Sequence, residues 1–144
     1  MWVELLEILS VFLLASVEVL AAIPAGFAFG HHFLIIIIET TLGAILGAII
    51  IIKFGDGIRK WLLKRKKPKE PSPRRQRFKK IFEKYGVAGT GLLAPLITGV
   101  PLGVALSVAA GATPSKNILW TSIGVAIWTI IFTMLGELGI EIFG

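Results

Sequence analysis

The sequence predicts an all-α integral membrane protein: an inverted repeat of two re-entrant helical hairpins, each followed by one transmembrane helix, plus a cytoplasmic amphipathic helix. Three observations predict this fold. Of 144 residues, 55% are apolar and only 17% charged. Twelve of the fifteen Lys and Arg residues lie between Arg59 and Lys80, densest at Lys64-Arg65-Lys66-Lys67 and Arg74-Arg75-Gln76-Arg77. The stretches on either side of that run are similar to each other.

The elements follow in chain order. Leu5 to Gly30 is apolar but carries Glu18 and is interrupted by Pro24, Gly26 and Gly30. Phe33 to Phe54 holds Glu39 and Lys53 as its only charges. Since about 20 helical residues cross a ~30 Å hydrocarbon core, that tract is long enough to span. Val87 to Gly111 is apolar and punctuated by Gly89, Gly91, Pro95, Gly99, Pro101 and Gly103, and Asn117 to Leu135 is uncharged and again of spanning length. Proline removes a backbone donor and clashes with the preceding turn, so the punctuated tracts make poor continuous helices. Irregular backbone persists at membrane depth only when packed in protein or lining a wet cavity. Ser10–Gly30 and Val87–Gly111 are therefore expected as hairpins that enter and leave on one side, with Pro24 and Pro95–Pro101 near their tips. A kinked ordinary span is the other reading of each.

The basic run sets the topology. Loops rich in Lys and Arg stay cytoplasmic, which assigns 59–80 to that side of the cell membrane in a multi-pass chain. One membrane domain, 1–144, then divides into a first repeat (1–58), the basic linker (59–80) and a second repeat (81–144). An ungapped shift of 81 residues places Ala28, Gly30, Thr40, Gly43, Ile49, Ile50 and Gly55 on Ala109, Gly111, Thr121, Gly124, Ile130, Ile131 and Gly136. A four-residue adjustment brings Pro24 and Gly26 onto Pro101 and Gly103. One hairpin plus one span is an odd number of crossings, so two such halves joined by a cytoplasmic linker must be inverted. Secondary transporters recurrently use that plan. Phe78, Ile81, Phe82 and Tyr85 alternate with Lys79, Lys80 and Lys84 at helical spacing, which predicts an amphipathic helix on the cytoplasmic surface. Trp2 and Trp61 stand near the expected interfaces.

The segments EVLAAIPAGFAFG (Glu18–Gly30) and KYGVAGTGLLAPLITGVPLGVALSVAAG (Lys84–Gly111) resemble the small multidrug export protein family of prokaryotic membrane proteins, and more distantly the DedA superfamily. The resemblance covers nearly the whole chain, through motifs of Gly, Pro and aliphatics. It implies two facing re-entrant loops, an inverted repeat and a proton-coupled secondary transporter. The DedA branch adds lipid substrates such as polyprenyl phosphate. Glu18, with Pro24 and Gly26, matches the acidic residue before the first-loop proline. The second DedA acid is replaced by apolar Phe27, Ala28 and Phe29. The arginines flanking the second-loop proline are also missing, since Leu92, Thr98 and Val104 occupy those places.

Several residues are candidates for function. An ionisable group in an apolar tract costs about 2.5–3.5 kcal/mol on insertion scales and usually faces a cavity or partner. Glu18 and Glu39 are the expected proton-coupling residues on that ground. For Glu18 the competing role is to bond free backbone N–H groups at the break; for Glu39 it is a neutral or snorkelling carboxyl near the outer face. Pro24, Gly26, Pro95, Thr98, Gly99, Pro101 and Gly103 are expected at the loop tips and in substrate contact. There, free amides of half-helix N-termini could meet an anionic group. His31 and His32 read as outer interfacial anchors, with external pH sensing as a further option because imidazole titrates near neutrality. They lack a third ligand for a metal. Gly43-x-x-x-Gly47 and Gly99-x-x-x-Gly103 let backbones approach closely, for packing first and dimerisation second.

The function expected is a small secondary transporter, proton-coupled, moving a small amphipathic or lipid-like substrate by alternating access through facing loops. Its partners are the lipid bilayer and a small-molecule or lipid substrate, with a homodimer allowed for because two spans are few for a closed pathway. The rival is a non-transporting membrane scaffold or holin-like pore. No cysteine is present, which excludes disulfides and thiolate ligands. No nucleophile–base–acid constellation suggests an enzyme, and no cofactor, metal or nucleic-acid partner is expected. Aromatics amid basics lack the strands of an RNA-binding platform. Glu4 and Glu7 stand where a cleavable signal would be basic.

Overall fold

The computed structural model describes residues 1–54 and 73–143, and all regular structure there is helical. The helices are α1 (Trp2–Val17), α2 (Val19–Ala28), α3 (Phe33–Lys53), α4 (Pro73–Ile97), α5 (Val100–Ala109) and α6 (Pro114–Phe143). Residues 55–72, which include Trp61 and the Lys64–Lys67 cluster, lie outside the described residues, as does most of the linker assigned to 59–80.

Helix α1 is separated from α2 by one extended residue, Glu18, at φ −144° and ψ 102°. The chain then doubles back: α2 ends at a turn that returns His31 to within 3.9 Å of Glu7, near the start of α1. Helix α3 next runs alongside α1 in the same direction, since Gly43 meets the carbonyl of Phe12 and Gly47 that of Ser16. Those two glycines, one turn apart, let α3 lie directly on α1's backbone, with buried Val11 and Ala15 completing the seam.

The second set repeats the course. Gly86 (φ 68°, ψ −154°) bends α4, Thr98 and Gly99 separate α4 from α5, and α5 runs back so that Thr90 reaches Ser107 at 3.4 Å. Gly124 of α6 meets the Gly91 carbonyl and Leu92, while the Trp128 Nε1–H donates to the Leu92 carbonyl at 2.8 Å. Helices α2, α3 and α6 begin at Val19, Phe33 and Pro114, and α5 at Val100, so Val19 and Phe33 each have a counterpart 81 positions on. The closing turns also correspond. His31 N–H donates to Gly26 O and Ala112 N–H to Ser107 O, with Gly30 (φ 77°) and Gly111 (φ 98°) in the left-handed conformation that ends a helix cheaply only at glycine.

Two expected boundaries move. The first break is at Glu18 and not at Pro24, which lies inside α2, whereas the second, at Thr98–Gly99, falls between Pro95 at the end of α4 and Pro101, the second residue of α5. Proline at a helix start loses no bond, and Pro24 forfeits only the one to Leu20 in the first turn, too little to break a packed helix. The four-residue adjustment pairing Pro24 with Pro101 therefore fails, because one is mid-helix and the other at a start. The hairpins are also longer than Ser10–Gly30 and Val87–Gly111, and the last helix extends from Pro114 to Phe143 rather than from Asn117 to Leu135. Residues 78–85 form part of α4 before its Gly86 bend; Phe78 is buried and borders a groove with Leu106 and Ala109 of α5.

Polarity is distributed inside out. Thr40, Thr90, Thr121, Thr129, Thr133, Ser107 and Asn117 are buried, whereas Leu5, Leu9, Leu13, Ile38, Leu42, Ile127 and Ile131 are exposed. The Asn117 side chain donates to the Val104 carbonyl at 3.2 Å, tying α6 to α5. Gly43→Val is expected to wedge α3 from α1 and cost about 1–3 kcal/mol in detergent unfolding. Gly139→Ala, with nothing within 4 Å of the added carbon, leaves stability unchanged or raises it by up to about 1 kcal/mol.

Candidate functional site

The two helix breaks meet. Glu18 Oε2 lies 3.5 Å from where a side chain on Gly99 would begin. Together with Leu20, Pro95 and Thr98 these residues line a cavity of about 130 Å³. The reasons are local. Glu18's extended backbone ends α1, and its side chain accepts from Leu20 N–H at 3.3 Å, serving one of the amides freed at the start of α2. Gly99 holds φ 79°, and the Thr98 hydroxyl donates to the Gly99 carbonyl at 3.0 Å. Each break thus brings a mixed set of backbone and side-chain polar groups to one place. Glu18 makes no ion pair among the described residues.

Leu20 also borders a second space, an apolar groove of about 570 Å³ between α2 and α6, walled by Ile23, Pro24, Phe27, Phe132 and Ile140. A polar cleft and a greasy groove therefore share a wall. That combination suits a molecule with a polar head and an apolar body.

A separate polar centre lies near the other end of α2. Glu39 is buried, and its Oε1 is 3.0 Å from His31 Nδ1. Gly26 leaves room for it, because a side-chain carbon there would come within 3.2 Å of the same oxygen. Glu39 Oε2, His31 Nε2 and the hydroxyls of Thr40, Thr41, Thr129 and Thr133 are buried without a hydrogen-bond partner among the described residues. His32 instead caps α3, accepting from Leu34 N–H at 3.3 Å.

The candidate residues thus sort into two places. Glu18, Pro95, Thr98 and Gly99 come together at the breaks, and Pro24 borders the adjoining groove. Gly26 belongs with Glu39 instead, Gly103 packs on Ala94 and the Thr98 hydroxyl, and Pro101 starts α5. Glu18 and Glu39 do not share a site: eight residues of α2 separate Glu18 from Gly26, about 12 Å along the axis. His31, read from the sequence as an interfacial anchor, is Glu39's partner. Its signal was the Gly30 turn that folds it back, which only the tertiary arrangement makes visible.

Buried hydroxyls and exposed leucines, with two helices long and apolar enough to cross a bilayer (Phe33–Lys53 and Pro114–Ile142), define a helical membrane protein. Residues 18–131 match the family described as "Putative small multi-drug export protein". The chain belongs to that family. Comparisons with curated proteins and with solved structures gave no match.

Two substitutions probe the breaks. Glu18→Leu, which removes the cap, is expected to cost about 1 kcal/mol, while Glu18→Asn retains an acceptor and most of the stability. Gly99→Ala forces a side chain onto a positive-φ extended backbone (φ 79°, ψ 158°) that essentially only glycine adopts, and is expected to cost about 1–3 kcal/mol. Denaturant titration in detergent reads both.

Proposed function

We propose that this chain is a proton-coupled secondary transporter of the cell membrane that moves small amphipathic or lipid-like molecules by alternating access. The observation that carries the reading is the meeting of the two helix breaks at Glu18 and Thr98–Gly99. Broken backbone is tolerated at membrane depth only inside protein or beside water, and transporters place substrate sites at such breaks.

In this reading α1–α2 and α4–α5 are re-entrant hairpins, and α3 and α6 are the spans of an inverted repeat. Support comes from Phe27, near the open end of the first hairpin, which packs against Gly136, late in α6. Helix α6 starts at the open end of the second hairpin, so the two open ends lie at opposite ends of α6. Charge supports the orientation. Lys53, Lys79, Lys84 and Lys116 lie towards one end, while Glu4, Glu7, Glu137 and Glu141 lie towards the other. The basic end is then cytoplasmic. Glu18 and Glu39 carry the protons, and the groove beside Leu20 takes the apolar part of the substrate. The glycines that a holin-like pore would need for oligomerisation are used inside the chain, at Gly43 and Gly47 against α1.

Proteoliposomes with an imposed pH gradient test the reading, using an amphipathic fluorescent dye as solute and an internal pH indicator. Wild type is expected to couple dye flux to proton movement, with Glu18→Gln and Glu39→Gln each lowering coupled flux by about tenfold or more. Dye movement indifferent to the gradient in wild type contradicts the proposal.

A further inference from the structure

The Glu39 centre is linked to the acidic end of the bundle by a chain of ionisable groups. Side-chain exposure falls along it, from 29% at Glu7 to 9% at His31 and 3% at Glu39. The His31 ring stands between the two carboxyls, with Nδ1 3.0 Å from Glu39 Oε1 and Nε2 3.9 Å from Glu7 Oε2. The two ring nitrogens thus face different acids, one at the rim and one inside. His31 Nε2 and Glu39 Oε2 are both buried without a hydrogen-bond partner among the described residues. An orphaned buried polar atom costs about 1–3 kcal/mol, so a purely structural pair would be expected to leave fewer of them.

We propose that Glu7, His31 and Glu39 form the proton uptake relay of the transporter, opening at the end of the bundle away from Lys53. This inference rests on the transporter reading above and deepens it. When Glu39 is ionised it accepts from Nδ1–H, which leaves the Nε2 lone pair towards Glu7. A proton delivered by the Glu7 carboxyl to Nε2 is matched by release of the Nδ1 proton to Glu39 Oε1. Glu7 ends ionised, Glu39 neutral and the imidazole neutral in its other tautomer. The 3.9 Å leg exceeds direct hydrogen-bonding range and closes by a rotamer change of Glu7, whose side chain is the most exposed of the three. After Glu39 has passed its proton on, the relay resets by rotation of the neutral ring, which carries its N–H from the Glu7 side back to the Glu39 side with no proton gained or lost.

Few other charges disturb this chain. On the same elements, Glu4 lies on the exposed face of α1, His32 caps α3, and α2 carries no ionisable side chain. Glu137 and Glu141 of α6 make no ion pair among the described residues. No Lys or Arg of α1, α2 or α3 lies at this end, since Lys53 closes the far end of α3. The Met1 α-ammonium is paired with Glu4 at 4.0 Å on the exposed surface, so the side chains a proton meets on this face are acids and histidines.

A pH jump on proteoliposomes, followed by time-resolved infrared spectroscopy, tests the relay without any transported solute. The Glu39 signal is the protonated-carboxyl band that disappears in Glu39→Gln. In His31→Gln and in Glu7→Gln that band is expected to rise about tenfold or more slowly than in wild type. Added imidazole is expected to restore the rate in His31→Gln. A wild-type rate in Glu7→Gln, whose rim position makes misfolding an unsuitable explanation, overturns the relay. So does the lack of any band that Glu39→Gln removes. Absence of coupled dye flux in wild type, with the band kinetics as expected, refutes the transporter reading and leaves the relay standing.

Discussion

A helix that stops inside hydrocarbon leaves amides and carbonyls with nothing to bond, and each such group costs several kcal/mol there. In the re-entrant arrangement proposed above, the meeting of Glu18 with Thr98–Gly99 answers that constraint. Both breaks line one small cavity, which Leu20 and Leu96 border on its exposed side. Glu18 supplies a side-chain acceptor to the start of α2 where the backbone has none, and Gly99 accepts a backbone angle that other residues resist. For the breaks to touch, the flanking helices must come very close. Gly43, Gly47, Gly91 and Gly124 provide that closeness, each placed against the backbone of a neighbouring helix. The small-residue seams thus serve the breaks before they serve any partner.

The second polar centre is tied to the first through α2. That helix begins at Glu18 and passes Gly26 against Glu39, so a shift of α2 would be felt at both carboxylates. Its opposite wall is the apolar groove shared with α6. In the proposed cycle this sets the substrate groove and both proton-carrying carboxylates against one helix, which is a physical basis for coupling them.

Much of the architecture was legible from residue patterns. The run after His32 shows α3 almost to the residue, because it is long, mostly apolar and free of proline. Helical starts at Val19 and Val100, and closing turns at Gly30 and Gly111, keep the 81-residue spacing read from scattered Gly, Thr and Ile identities. The tips were less legible. At the first break Pro24 is not the breaker, since it loses only one bond, whereas Thr98 and Gly99, expected at the second tip, do interrupt the helix there. The real breaks depend on a side chain that caps and a glycine that turns, and a lone Glu in an apolar run signals chemistry as readily as a cap. The pairing of His31 with Glu39 could not be read, because it requires α2 to return beside the start of α1. That is a tertiary fact with no local periodicity.

The central claim is that the Glu18 and Thr98–Gly99 breaks face each other within one chain. The natural sequence has no cysteine, so Glu18→Cys and Thr98→Cys can be introduced together on a clean background. A short bis-methanethiosulfonate cross-linker applied in native membranes should then join the two thiols within a single chain, shown by mass spectrometry of the cross-linked peptide. Efficient linkage between positions 18 of two chains, with none from 18 to 98, would contradict the account.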